Sequence, residues 1–342
     1  MITVLEKLVQ SIYSRSFITE YYGYTLMYII LEKIVKRDEL KQFIESKDIT
    51  SAIRSLPYKP LGVYLSKLLT TSISLEKIDK VLEEYLTDMI TYVYSNMPLK
   101  HYKVVTDIEK PYDLLNLCIM YTNIREGKRA CPLFPGGIIY AKNIVAKDKN
   151  DIVVIMRKLG FTRKLEQIVK EDGTPDLIFL KGFEELKKIY FLIEDIALKK
   201  VYGLIYDYSL VKGLSSLPKE SIEQITVSPF FVDKEIIDWV ARESSNTKDI
   251  IRHFVKQDPV LENIYRTLST FIRGFTALDF SHVIHLAVTT NNLIKPYTSQ
   301  PCIRALLVIR GEVIFARLSI MSLLNLVERD LVKNLINEWW IQ

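Results

Sequence analysis

The nearest thing to a metal-binding arrangement in this sequence is His282-Val-Ile-His285, whose spacing puts both rings on one face of a helix. Zinc needs four ligands in a closed site, and no acidic or Cys residue follows the pair at a useful interval. The surroundings are apolar, so no metal is expected there. Adjacent carboxylates such as Glu83-Glu84 could share a proton in acid–base work, but they fall on the polar side of a periodic segment and read as solvated. Nothing cradles a phosphate: G-x-x-x-x-G-K-[ST] and G-x-G-x-x-G are both missing, and Gly136-Gly137 follows Pro135 and reads as a turn. Cys118, Cys131 and Cys302 carry no nucleophile signature and read as small core hydrophobes. Nucleic-acid binding would want clustered basic residues interleaved with aromatics. The 20 Tyr instead fall mostly at helical core spacing, as Tyr21, Tyr24 and Tyr28 do. The residues therefore predict no catalytic group, no cofactor, no bound metal and no nucleic-acid partner, and neither tight binding nor hydrolysis of ATP.

The elements that would position any site are helices. Leu75, Ile78, Leu82, Tyr85, Leu86, Met89 and Val93 recur at three- and four-residue steps with charged residues between them, which predicts one amphipathic helix. Ser74 is placed to cap it, and Asn96-Met97-Pro98 to end it. Similar patterns run through residues 184–201 and 261–272, with breaks at 57–60, 132–137, 172–175, 213–218 and 297–301. Residues 303–309 and 313–315 are rich enough in Ile and Val to suit short buried strands as well.

Composition sets the frame. A chain of 342 residues exceeds what one core usually organises, and 49% apolar residues with 25% charged residues suffice for a sizeable core. Twelve Gly and twelve Pro are few for the turns of a β-sandwich, so the expectation is all-α. The formal charge of +5 is scattered; it suits an acidic partner or a cytoplasmic membrane surface, and ordinary solubility explains it equally well. Three widely spaced cysteines argue for a reducing, cytoplasmic compartment. Glu6 and Lys7 interrupt the first apolar residues before a signal sequence can form, and residues 21–31 and 280–294 are too short to span a bilayer. Any membrane role is expected to come through a partner.

A faint internal repetition overlies these elements. Ser46-Lys-Asp48-Ile49 and Thr247-Lys-Asp249-Ile250 each place a hydroxyl where an N-cap belongs and an Asp in the first helical turn, with Asn150-Asp151-Ile152 between them. Asp48, Asp151 and Asp249 recur at intervals of about 100 residues, and the fifth residue after each is apolar: Ile53, Met156 and Phe254.

Four stretches carry a family resemblance. Asp113-Leu-Leu-Asn116-Leu117 through Arg125-Glu-Gly-Lys128 to Phe134-Pro-Gly-Gly137 resembles the C-subunit family of archaeal A-type ATP synthases, which includes the d-subunit of eukaryotic V-type ATPases. The family pattern is roughly D-L-x-N-L-x-x-x-L-R-x-K followed, often, by P-G-G. Here Thr122 stands where that Arg is usual, and Arg125 lies one helical turn later. Asp233, Ile236, Ile237 and Arg242 look like a second copy without the Asn, and Glu312-Val313 to Arg317-Leu318 is similar to the family's E-V-R-N-L-R with an apolar middle. In the N-terminal third, Leu40 to Phe43, Ile49, Ile53 to Leu56, Tyr58 and Tyr64-Leu65 are similar to the family's Leu-spaced helices.

The resemblance implies three pseudo-repeated helical units forming a funnel-like body, with approximate bounds 1–137, 138–245 and 246–342. It implies a non-catalytic central-stalk subunit that joins the rotating shaft to the membrane proteolipid ring and so couples ATP chemistry to proton or sodium transport, peripheral on the cytoplasmic face. Taken on their own chemistry, the Asp and Asn of such a pattern would cap or bridge helices, and the Arg would tie a neighbouring helix. A helical adaptor unrelated to rotary ATPases is the chief alternative, and a helical enzyme using His282 or His285 a distant third.

Overall fold

The computed structural model describes residues 15–56, 58–70, 73–127, 133–217, 229–231, 235, 237–238, 249–272 and 275–340. Among them every regular element is helical, so the fold is all-α. The chain packs as two compact units: the first joins Met1–Val105 to Val283–Gln342, and the second is Thr106–His282.

The first unit contains α1 (Arg15–Lys33), α2 (Arg37–Glu45), α3 (Ile49–Arg54), α4 (Pro60–Leu65), α5 (Leu75–Asn96) and the start of α6 (Leu99–Glu126). The second holds most of α6, then α7 (Gly137–Ala141), α8 (Lys149–Lys158), α9 (Arg163–Lys170), α10 (Pro175–Leu192), α11 (Ile196–Leu214), α12 (Asp249–Lys256) and α13 (Pro259–Ser269). Its boundary falls within α14 (Phe275–Thr289); α15 (Gln300–Leu323) and α16 (Arg329–Trp339) return to the first unit.

Helix α15 is the axis of the first unit. Residues 300–312 are buried on every side except Arg304, and α1, α2, α5 and α16 pack around it. That burial explains why residues 303–315 look strand-like in sequence: a helix enclosed all round loses the polar stripe that marks helical period. In the second unit α8, α9, α10, α11, α12 and α13 pack in succession, and α11 is buried along nearly its whole length.

Most helix limits follow the expected signals. Ser74 Oγ accepts the Lys77 N–H at 3.3 Å at the start of α5, and Met97 closes the helix ahead of Pro98. Pro175 and Pro301 sit in first turns, where the missing N–H costs nothing. Several expectations need correction. Ser46 closes α2 instead of opening α3; the cap is Asp48, whose carboxylate accepts the Ser51 N–H at 2.7 Å and is held below the usual carboxylate range mainly by that bond. Asp148 caps α8, a residue the repetition did not mark, while Asp151 sits in its first turn. The apolar residues of the repetition, Ile53, Met156 and Phe254, are all buried, and Thr247 lies outside the described residues.

The stretch 184–201 is two helices and not one. Asp195 takes the N–H groups of Ala197 and Leu198 at 2.9 and 3.1 Å and starts a new helix without Gly or Pro to announce it. Tyr24 is buried as expected, but Tyr28 is exposed.

Candidate functional site

Three long helices carry acids wholly inside the protein, two on α6 and one each on α11 and α15, and each acid holds the backbone of another segment. An acid so enclosed has lost its water, so it must be neutralised or find donors. Here the donors are peptide N–H groups at the start of a turn or helix, whose orphan hydrogens need an acceptor.

On α6, Glu109, Asp113 and Asn116 are spaced so that they share one face, and all three are buried. Ile139 N–H donates to Asp113 Oδ1 at 2.8 Å and Gly137 N–H to Glu109 Oε2 at 3.1 Å. Asn116 completes the grip with three bonds: its amide donates to the carbonyls of Phe134 (3.1 Å) and Gly136 (3.0 Å), and its Oδ1 accepts from Phe134 N–H at 2.6 Å. The loop must run against the helix for this. A Cβ at Gly136 would strike the Tyr112 ring, and one at Gly137, where φ is +77°, would overlap the Asp113 carboxylate. Burial pushes Asp113 up to about 7, the bonds from Ile139 and Ile138 draw it partly back, and Glu109 raises it further.

On α11, Asp207 is fully buried and accepts from Phe230 N–H at 2.8 Å and Phe231 N–H at 2.6 Å, one bond to each oxygen. On α15, Glu312 accepts from Val35 N–H at 2.7 Å and from the Tyr85 hydroxyl. The Val35 carbonyl is taken by the Trp340 indole N–H at 2.9 Å, and the Trp340 carbonyl in turn receives Arg37 Nε at 2.6 Å. Burial pushes Glu312 up to about 7, against the pull of Tyr85 and Val35.

Asp113, Asn116 and Glu312 thus lie in these latches, with their acceptor oxygens turned to this chain's own donors. Arg317 sits one and a half turns beyond Glu312 and makes a fork-to-fork pair with Asp79 of α5, Nε at 2.6 Å and Nη2 at 3.0 Å, so it does tie a neighbouring helix. Arg125 does not reach Asp113; its Nη1 donates to the Gly173 carbonyl at 3.2 Å. Asp233 and Arg242 lie outside the described residues, as do Lys128 and Cys131.

His282 and His285 are both buried. The His282 ring stacks on Tyr208 with centroids 3.7 Å apart, and its Nε2 lies 3.3 Å from the Tyr112 hydroxyl. Tyr208 donates to Asp279, which also receives Lys212 Nζ at 2.6 Å. Among the described residues no three or more His, Cys, Asp or Glu side chains converge as metal ligands. Glu84 pairs with Lys67 at 2.8 Å on the surface.

Asp207 escaped the sequence reading, although a signal was present: Tyr112-Asp113 and Tyr206-Asp207 are the same dipeptide in two long helices, each followed by a Pro-containing loop. Glu109, Tyr85 and Val35 gave no signal, because their partners are set by packing. Among the described residues no helix is long and apolar enough to cross a membrane. No protein-family model matches the chain, and no curated protein matches its sequence.

Proposed function

We propose that this chain is a non-catalytic central-stalk subunit of a rotary A-type or V-type ATPase, joining the rotating shaft to the membrane proteolipid ring at the cytoplasmic face. The observation that carries this reading is the recurrence of one device. Asp113, Asp207 and Glu312 stand in three long helices at intervals of about 100 residues, and each accepts backbone N–H groups from a separate segment. That recurrence supports the three related helical units that the resemblance implies, and it gives an internal role to Asp113 and Glu312, two of the residues that carry the resemblance.

A coupler must transmit torque without yielding. Buried acids bonded to backbone donors, a bidentate Arg317–Asp79 pair and a largely buried α15 are suited to that load. The transported ion, proton or sodium, would be handled by the ring and the nucleotide by the head, so this chain needs neither site. Extraction of native membranes with mild detergent and capture of the tagged chain tests the assignment. Recovery of shaft and proteolipid subunits in fixed ratio is the expected result; recovery of the chain without either, from membranes whose rotary ATPase is intact, would favour an unrelated helical adaptor.

A further inference from the structure

Helices α10 and α11 meet at a turn of three residues, Ile193-Glu194-Asp195, and the tip they form turns its apolar side chains outward. Phe191 is 67% exposed, Leu192 78% and Ile196 84%. Phe191 meets the rings of Tyr190 and Phe230 edge-on, and the described residues of the second unit leave all three side chains mostly exposed.

The tip is held firmly from beneath. Tyr206 and Tyr202 of α11 donate to the carbonyls of Phe183 and Leu186 in α10, at 2.9 and 2.5 Å, and pin the two helices together. Tyr190 stacks on Phe230 with centroids 3.9 Å apart, and the Phe230 N–H is fixed by Asp207. Lysines surround this base. Lys187 and Lys188 precede the tip on α10, and Lys199 and Lys200 follow it on α11, all within about one helical turn or 5–6 Å of the apolar residues. Lys199 Nζ lies 4.8 Å from the Tyr190 ring and Lys187 Nζ 5.9 Å from the Phe230 ring, while Lys188 and Lys200 are exposed.

We propose that this tip is a membrane-surface anchor, setting Phe191, Leu192 and Ile196 into the headgroup boundary of an anionic bilayer with the four lysines at the level of the lipid phosphates. Interfacial segments sit roughly 5–10 Å deep, which matches the single turn between the apolar tip and the lysines, whose stems can lie along apolar surface while their ammonium groups stay wet. The charge pattern selects anionic lipid. A protein partner is a poorer fit, because a stable interface takes about 800 Å² from each side and a three-residue turn with its neighbours offers a narrow, convex contact. Two carboxylates oppose the anchor: Asp195 is half-buried and taken up by the Ala197 and Leu198 N–H groups, and the stronger opposing feature is Glu194, exposed at the tip. It weakens insertion and provides an internal control. The anchor does not depend on the rotary assignment, since lipid alone is the ligand.

Flotation of the full-length chain with phosphatidylcholine vesicles, with and without phosphatidylserine, tests this. Binding should appear on the serine-containing vesicles, fall with added salt, and drop at least about tenfold in the Leu192→Asn, Ile196→Asn double variant. Lys188→Gln and Lys200→Gln should each cost roughly fivefold, and Glu194→Gln should strengthen binding. All of these side chains are exposed, so circular dichroism should be unchanged. A folded chain that leaves anionic vesicles unbound, or one whose binding survives the Leu192 and Ile196 replacements, overturns the anchor.

Discussion

Replacing the two buried acids by their neutral isosteres, Asp113→Asn and Glu312→Gln, should stabilise the protein at pH 8 and do so far less at pH 5. Burial pushes both carboxyls up to about 7, from ordinary values of 3.8 and 4.5. Between about pH 4.5 and 7 the unfolded chain has released these protons while the folded chain still binds them, so the stability each group contributes is full below that window and is lost as pH rises through it. At about 1.4 kcal/mol for each pH unit that separates the folded from the unfolded value, ionisation of each group in place costs on the order of 4 kcal/mol by pH 8, somewhat more for Asp113 and somewhat less for Glu312. An amide keeps an acceptor oxygen for Ile139 or Val35 and never ionises. Urea midpoints taken from pH 5 to 8 at constant ionic strength would read the effect, and the difference between parent and variant isolates the two carboxyls from all other titrating groups. Asp113 belongs to the second unit and Glu312 to the first, so separate transitions would respond separately. Variants less stable than the parent at pH 8 would refute the reasoning, since the N–H donors would then be shown to require a charged acceptor.

Gly137→Ala should destabilise the second unit by about 2–4 kcal/mol in thermal unfolding, because the added methyl meets the Asp113 carboxylate at a backbone angle of +77°. Asn116→Ala and Asp207→Ala should each cost about 2–3 kcal/mol by leaving buried backbone groups without partners, with hydrogen exchange faster at Phe134 in the first and at Phe230 and Phe231 in the second. Burial pushes the Cys118 and Cys302 thiols up to about 12, so both should resist a thiolate-directed reagent at pH 8 until denaturant is added; stoichiometric labelling of either in the folded protein would contradict that placement.

The helical class was legible because most surface-facing helices keep a polar side. The pattern around Ser74 to Val93 places both its cap and its buried face, apart from Leu75, which is 40% exposed, and Met89, which is half-buried. It was least legible in α15, where enclosure removes the period, and at Asp195, where a capping carboxylate divides a continuous apolar pattern. The latch on α6 was half legible: Asp113, Asn116 and the Gly pair stood out by type and spacing, but Glu109 did not. Glu312 was marked by resemblance, yet its donor Val35 lies 277 residues away, a pairing that only packing creates. Asp207 was missed because a lone Asp in an apolar helix says nothing until the segment it holds has been located.

Mechanical coupling is the role we propose for this chain, and ATP-driven ion uptake by membrane vesicles reads it out. Vesicles depleted of this chain should lose acidification, or sodium uptake, with ATP-hydrolysing heads released to the soluble fraction, and adding back the purified full-length chain with those heads should restore pumping in proportion to the amount bound. Vesicles that pump at the full rate without it would contradict the coupling assignment.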